Sequence, residues 1–295
     1  MGDVLPALLL GVLQGLTEFI PVSSSGHLVL VPHFVGIDTP GIAFGVALHL
    51  GTFAAVVLYF RTDLALLIAA VFGVGDAVLV SYYRRLAALL VLGSIPIAII
   101  GVALRGVFEA AFASPTAAAG FLMVTGLLLL AGEAARSRRG GITGATADID
   151  DEHTMLGHDP GDPEGLTLDA IGVRQALVIG FGQCVALFPG ISRSGTTIAA
   201  GMSAGLTRPA ATRFSFLLAL PALIGATVVS VPDLAEGTAG FGPLALTVGI
   251  VAAFVSGYLA IRWLLALVAR DRLTGFAIYC LVVGGGSLIA LSAGA

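Results

Sequence analysis

Charge is what this sequence has least of: 11% of its 295 residues are charged, against 57% that are hydrophobic. A soluble domain carries about 25% charged residues. The shortfall, the long apolar runs and a mean hydropathy of +1.03 exclude an ordinary soluble chain and place this one in a membrane. Lysine is absent, and all 14 basic residues are arginine. The net charge is only −4 and there is no basic patch, so no nucleic-acid partner is expected. Cysteine is scarce. Cys184 and Cys280 both lie in apolar stretches, which argues against a structural disulfide or a zinc site. The N-terminus lacks a basic segment and carries Asp3, then Gln14 and Glu18, so it does not read as a cleaved signal peptide. What abounds is glycine, with 40 residues, and small residues let membrane helices approach closely.

Crossing roughly 30 Å of hydrocarbon takes about 20 apolar residues. Six segments qualify, near 43–60, 86–104, 116–133, 210–230, 243–266 and 275–293. Two further apolar segments, 4–37 and 172–206, are broken midway by Pro, Ser and Gly. Each reads as helix, polar turn, helix: a re-entrant hairpin entering and leaving by one face. Irregular backbone at membrane depth is tolerated only where protein or a water-filled cavity satisfies it, so both turns are candidate binding sites. The expected fold is all-α and integral to the membrane, with six transmembrane helices and two re-entrant hairpins. Residues 134–171 are polar, acidic and Gly-rich, and read as a solvated linker between halves 1–133 and 172–295. Asp150, Asp151, Glu152, His153 and His158 lie in that linker without a spacing that would aim them at a metal.

The halves resemble each other. QGLTEFIPVSSSG from Gln14 matches QCVALFPGISRSG from Gln183, with one gap near the proline. Ser23, Ser24, Ser25 and Gly26 fall opposite Ser192, Arg193, Ser194 and Gly195. SIPIAIIG (94–101) echoes ALPALIGA (219–226) in the same order. Repeated halves are a recognised membrane architecture, with sites where the repeats meet. Arg61, Arg84 and Arg85, then Arg136, Arg138 and Arg139, then Arg270 and Arg272 fall on one side if there are six spans. The positive-inside rule makes that side cytoplasmic. The hairpins then enter from opposite faces, the repeat is inverted, and both termini lie outside. Arg208 and Arg213 either belong to the inner end of the fourth span or face the site.

Glu18 stands four residues after Gln14, on the same helix face, and six before Ser24. An ionisable group in a membrane segment is a functional candidate. The turn from Ser23 to His27 offers hydroxyls, backbone N–H groups and an imidazole. The turn from Pro189 to Thr197 offers the same groups with a guanidinium in place of the imidazole. Some of these serines act as N-caps, which does not account for Arg193. Helix N-termini bind phosphate, and arginine adds a bidentate fork, so an anion such as pyrophosphate suits the pair of turns. Glu18 beside an anion has three solutions: a divalent cation between them, a protonated carboxyl, or a general base acting on serine or water. His27 is a candidate acid or base. His49, in ALHLGT, reads as a packed or hydrogen-bonded helix residue.

QGLTEFIPVSSSGH, FPGISRSGTT and the following RFSFLLALP resemble the bacitracin-resistance family of undecaprenyl-pyrophosphate phosphatases over nearly the whole chain outside the linker. The family's (E/Q)xxxE motif is met by Gln14 and Glu18, and its PGxSRSxxT motif by Pro189 to Thr197. The resemblance implies an enzyme of the plasma membrane that removes the terminal phosphate from a C55 polyprenyl pyrophosphate, with its site open to the extracytoplasmic side. It implies help from Mg²⁺ or Ca²⁺, with Glu18 as the candidate ligand. Glu18, Ser24, His27 and Arg193 become the catalytic core, with Ser24 as nucleophile and Arg193 as phosphate anchor. Gln14, Ser23, Ser25, Gly26, Ser192, Ser194, Gly195 and Thr197 become the substrate-binding shell. Gln14 stands where the family often has glutamate, which weakens a two-carboxylate metal site. The expected partners are the lipid substrate and a second copy of the chain in a homodimer. A polyprenyl-phosphate transporter on the same repeat is the alternative, though a carrier needs the anion clamp without a nucleophile and base.

Overall fold

The computed structural model describes residues 3–37, 42–104, 106–108, 114–140, 165–229, 241–269 and 272–294. Among them the chain is helical, with one isolated bridge between Leu166 and Leu206 and no strand. In chain order the helices are α1 (Val4–Phe19), α2 (Ser24–Val35), α3 (Ile42–Tyr59), α4 (Arg61–Val71), α5 (Ala77–Ala103) and α6 (Pro115–Gly140). The second half holds α7 (Val173–Val185), α8 (Arg193–Ser203), α9 (Arg208–Val229), α10 (Pro243–Val268) and α11 (Thr274–Ser292). Helices α5, α6, α9, α10 and α11 are long and apolar enough to cross a membrane, and α3 with α4, bent by 75°, makes a sixth if the pair is one span. At about 1.5 Å per residue, the 16 residues of α1 and 13 of α7 fall short of the hydrocarbon thickness. Large apolar side chains such as Leu5, Ile99, Val102, Val251 and Ile289 stay exposed around the bundle, as suits a multi-pass membrane protein.

Two elements depart from the sequence expectation. Residues 61–71 form a helix of their own, and α5 starts at Ala77 rather than near 86. The arginines that interrupt its hydropathy hold neighbouring chain ends. Arg84 donates to the carbonyl of Ala70 at 2.6 Å, capping α4, and Arg85 to that of Ile171 at 2.6 Å. The linker is also shorter than its polarity implies. Helix α6 runs to Gly140, Leu168–Ala170 form a 3-10 turn, and Leu168 and Ile171 are buried. The acidic cluster from Asp150 to His158 lies outside the described residues.

The packing is reciprocal between the halves. Helix α1 lies on α10, and α7 on α5; α3 touches α10, and α9 touches α5. A Cβ on Gly11 would fall 2.3 Å from the carbonyl oxygen of Gly249, and one on Gly180 2.4 Å from that of Gly93. A Cβ on Gly249 or on Gly93 would each fall 3.2 Å from a carbonyl oxygen, of Ala7 and Ala176 respectively. The last spans repeat the pattern: Gly126 abuts the Ala277 carbonyl, and Gly284 that of Ala119, each at 2.7 Å from a would-be Cβ. These contacts pair α3 with α9, α5 with α10 and α6 with α11. The echo between 94–101 and 219–226 therefore joins α5 to α9, which occupy different places in their halves. What the two helices share is an internal proline, Pro96 in α5 and Pro221 in α9.

Candidate functional site

The two Ser–Gly turns meet back to back. A Cβ on Gly26 would fall 2.9 Å from the Cα of Gly190. Gly190 N donates to Ser25 Oγ at 3.3 Å, and Ser194 Oγ donates to the Ile20 carbonyl at 3.4 Å. Each turn is built the same way. Ser23 Oγ caps α2 by accepting from Gly26 N at 3.2 Å, and Ser192 Oγ caps α8 by accepting from Gly195 N at 3.0 Å. Ser23 and Ser25 share a hydroxyl contact at 3.2 Å, and Ser192 and Ser194 one at 3.1 Å. Thr125 of α6 pins the second turn: its hydroxyl donates to the Gly190 carbonyl and accepts from Ser192 N, both at 2.9 Å. Gly190 needs its φ of +99°, and a Cβ there would fall 2.2 Å from the Ala118 carbonyl oxygen.

Against this pair of turns stands Glu18, buried on the last turn of α1. Its Oε2 accepts from Gln14 Nε2 at 3.1 Å and from Ser24 Oγ at 2.6 Å. Its Oε1 pairs with Arg193 Nη2 from the other half. His49 Nε2 lies 3.6 Å from Oε2, while its Nδ1 meets the Gly45 carbonyl at 2.8 Å. Arg193 keeps Nη1 buried without a hydrogen-bond partner among the described residues, as does Gln14 its Oε1. The site is thus a carboxylate holding a serine hydroxyl, beside a guanidinium with a donor to spare.

The structure brings Gln14, Glu18, Ser24 and Arg193 together. Ser23, Ser25, Gly26, Ser192, Ser194 and Gly195 build the turns under them. His27 has other partners, with Nδ1 at 2.8 Å from the Ser23 carbonyl and Nε2 at 2.8 Å from Tyr279 Oη. Thr197 donates to the Arg193 carbonyl at 2.7 Å and contacts Ser215 Oγ at 2.5 Å, tying α8 to α9. His49, Thr125 and Tyr279 join the site from distant helices. The sequence signalled none of them beyond their polarity in apolar runs. Across the repeat, Gln183 answers Gln14, but Leu187 stands where Glu18 would be; the buried Gln183 amide has no partner among the described residues.

The donor set does not suit a divalent cation held by protein. Hard cations take several oxygen ligands, yet Glu18 has both oxygens engaged by N–H and O–H donors. Among the described residues no three of His, Cys, Asp and Glu gather to hold a metal.

Three arginine–carboxylate pairs occur among the described residues, and each joins an acid of the first half to an arginine of the second. They are Glu18–Arg193, Glu133–Arg208 and Asp63–Arg213. Glu133 is held by both Arg208 Nε at 2.8 Å and Nη2 at 2.5 Å, and by Leu273 N at 2.8 Å. So α6, α9 and the start of α11 are locked together.

The model of the family described as bacitracin resistance protein BacA matches residues 7–286. A protein of Syntrophotalea carbinolica is 42% identical over 282 residues, covering 95% of this chain and 96% of its own. One of Geobacter sulfurreducens is 40% identical over 294 residues, covering 99% of both. One of Methanobrevibacter smithii is 37% identical over 292 residues, covering 96% of this chain and 95% of its own. All three bear the name undecaprenyl-diphosphatase.

Proposed function

The chain belongs to the bacitracin resistance protein family, and from that membership and the site geometry we propose that it is an undecaprenyl-diphosphatase. It removes the terminal phosphate from a membrane polyprenyl pyrophosphate and returns the monophosphate carrier to glycan assembly. The observation that carries this reading is the hydroxyl of Ser24, held at 2.6 Å by a buried carboxylate that is paired with Arg193. A carrier has no use for a serine poised on a base, and the relatives' names favour the hydrolase.

Ser24 and Arg193 each open a helix, where the first N–H groups lack intrahelical partners and attract phosphate. Arg193 Nη1 takes a terminal phosphate oxygen while Nη2 holds Glu18. Ser24 Oγ bonds to the terminal phosphorus as the bridging P–O bond breaks, and the electron pair leaves on the lipid monophosphate. The serine proton passes to Glu18. Water then displaces the phosphoryl group from serine, and Glu18 returns the proton. Little covalent work falls to the protein, so positioning and charge stabilisation dominate. His49 faces Glu18 from the more exposed side and steadies its charge. Any Mg²⁺ or Ca²⁺ travels with the substrate phosphates rather than on Glu18.

The reading places the protein in the plasma membrane. The two turns are re-entrant hairpins from opposite faces, and the site opens to the extracytoplasmic side. The reciprocal packing supports an inverted repeat. A homodimer belongs to the same reading, and the mass of the detergent-solubilised protein tests it. The central test is phosphate release from C55 pyrophosphate by purified protein. Arg193→Ala and Glu18→Ala should each lose at least about 100-fold in kcat/KM. Activity surviving in Ser24→Ala would assign the attack to water. No release by the wild type, with lipid translocation in vesicles, would replace the phosphatase by the carrier.

A further inference from the structure

We infer that Tyr279 and His27 form a positioning pair that sets the Ser24 turn, and that His27 carries no proton in the reaction. This rests on the reading of Ser24 as the reacting group. Ser23 has φ of +70° and is the one non-glycine residue with positive φ among the described residues. Such backbone persists only where its surroundings over-determine it, and here it aims Ser24 at Glu18. The Ser23 carbonyl accepts from His27 N at 3.2 Å and meets His27 Nδ1 at 2.8 Å.

A carbonyl only accepts, so Nδ1 carries the ring proton. Nε2 of the neutral ring then accepts from the Tyr279 hydroxyl at 2.8 Å. The two rings also stack, 5.7 Å apart and 9° from parallel. Both nitrogens are thereby engaged, and the described contacts bring neither to Glu18 or Ser24. The matching turn makes the same contact without a titrating group. There Thr196 Oγ1 donates to the Ser192 carbonyl at 2.9 Å. Holding that carbonyl is the shared task, and a hydroxyl suffices for it. Tyr279 comes from the last span, whose Cys280 Sγ also lies 3.7 Å from the Pro21 carbonyl, so α11 grips the first turn at two points.

The test is steady-state phosphate release from a polyprenyl pyrophosphate by the purified full chain, with Tm as a check on folding. Tyr279→Phe keeps the stacking and drops one hydrogen bond, so kcat should fall about tenfold with KM within about twofold. Asparagine can present an amide N–H where His27 has Nδ1. His27→Asn should therefore stay within about tenfold of wild type, while His27→Ala loses about 100-fold or more. An unchanged kcat in Tyr279→Phe, or His27→Asn as inactive as His27→Ala at wild-type Tm, overturns the inference and returns His27 to proton transfer. Failure of the wild type to release phosphate overturns the phosphatase reading, and this pair with it.

Discussion

At Glu18 one carboxylate gathers side chains from four helices: Gln14 of α1, Ser24 of α2, His49 of α3 and Arg193 of α8. Removing its charge strands the guanidinium in a buried place. Glu18→Gln should cost roughly 3–5 kcal/mol of stability, read as a lowered unfolding midpoint in detergent, besides abolishing phosphate release. Lysine has one ammonium where arginine has a fork. Arg193→Lys should therefore lose about 100-fold in kcat/KM even though the charge is kept. His49→Ala should lower kcat by about tenfold at unchanged stability; an unaltered rate would reduce His49 to packing. Gln14, Glu18, Ser24 and Arg193 were legible because each sits in or beside a polar turn that breaks an apolar run. His49 was not. A lone histidine on an apolar helix has no local signal, and its partner is 31 residues away in α1, joined only by packing of α3 on α1.

Among elements, the long spans were legible from hydropathy, and their ends were not. Helix α4 has only 11 residues, too few for a span, and its bend from α3 leaves no period to read. The start of α5 was hidden by Arg84 and Arg85, whose charges answer carbonyls at the ends of other elements. The small-residue contacts were visible only as an excess of glycine. Their reciprocity makes a paired prediction. Gly11→Leu and Gly180→Leu each push a side chain into backbone of the facing helix, so each should destabilise by about 1–3 kcal/mol or more. Equal shifts in thermal unfolding would confirm equivalent roles. Glu133→Ala should be as costly as breaking other buried pairs, about 3–5 kcal/mol, because it orphans Arg208 and the Leu273 N–H together. Its kcat per folded molecule should hold, since Glu133 touches nothing in the turns.

For the whole molecule, the halves are interleaved rather than adjacent. Each half's first helix rests on the other half's next-to-last span, α1 on α10 and α7 on α5. Residues 1–140 and 165–295, co-expressed as separate chains, should therefore assemble and release phosphate within about tenfold of the intact rate, given the packing and ion pairs that join them; neither alone should do so. The kinship of the two turns was legible because they kept their serines, while the pairing of spans needed coordinates, and the echo between 94–101 and 219–226 alone set α5 against α9. The charge arrangement has a further consequence, for biogenesis. The first half leaves the ribosome carrying Asp63, Glu18 and Glu133, and the arginines that form ion pairs with them are encoded later. Each such acid costs about 2.5–3.5 kcal/mol at bilayer depth by insertion scales. A nascent first half is thus a poor lodger in lipid until Arg193, Arg208 and Arg213 emerge. The two halves therefore settle in lipid together, each supplying the charge the other half's buried partner needs.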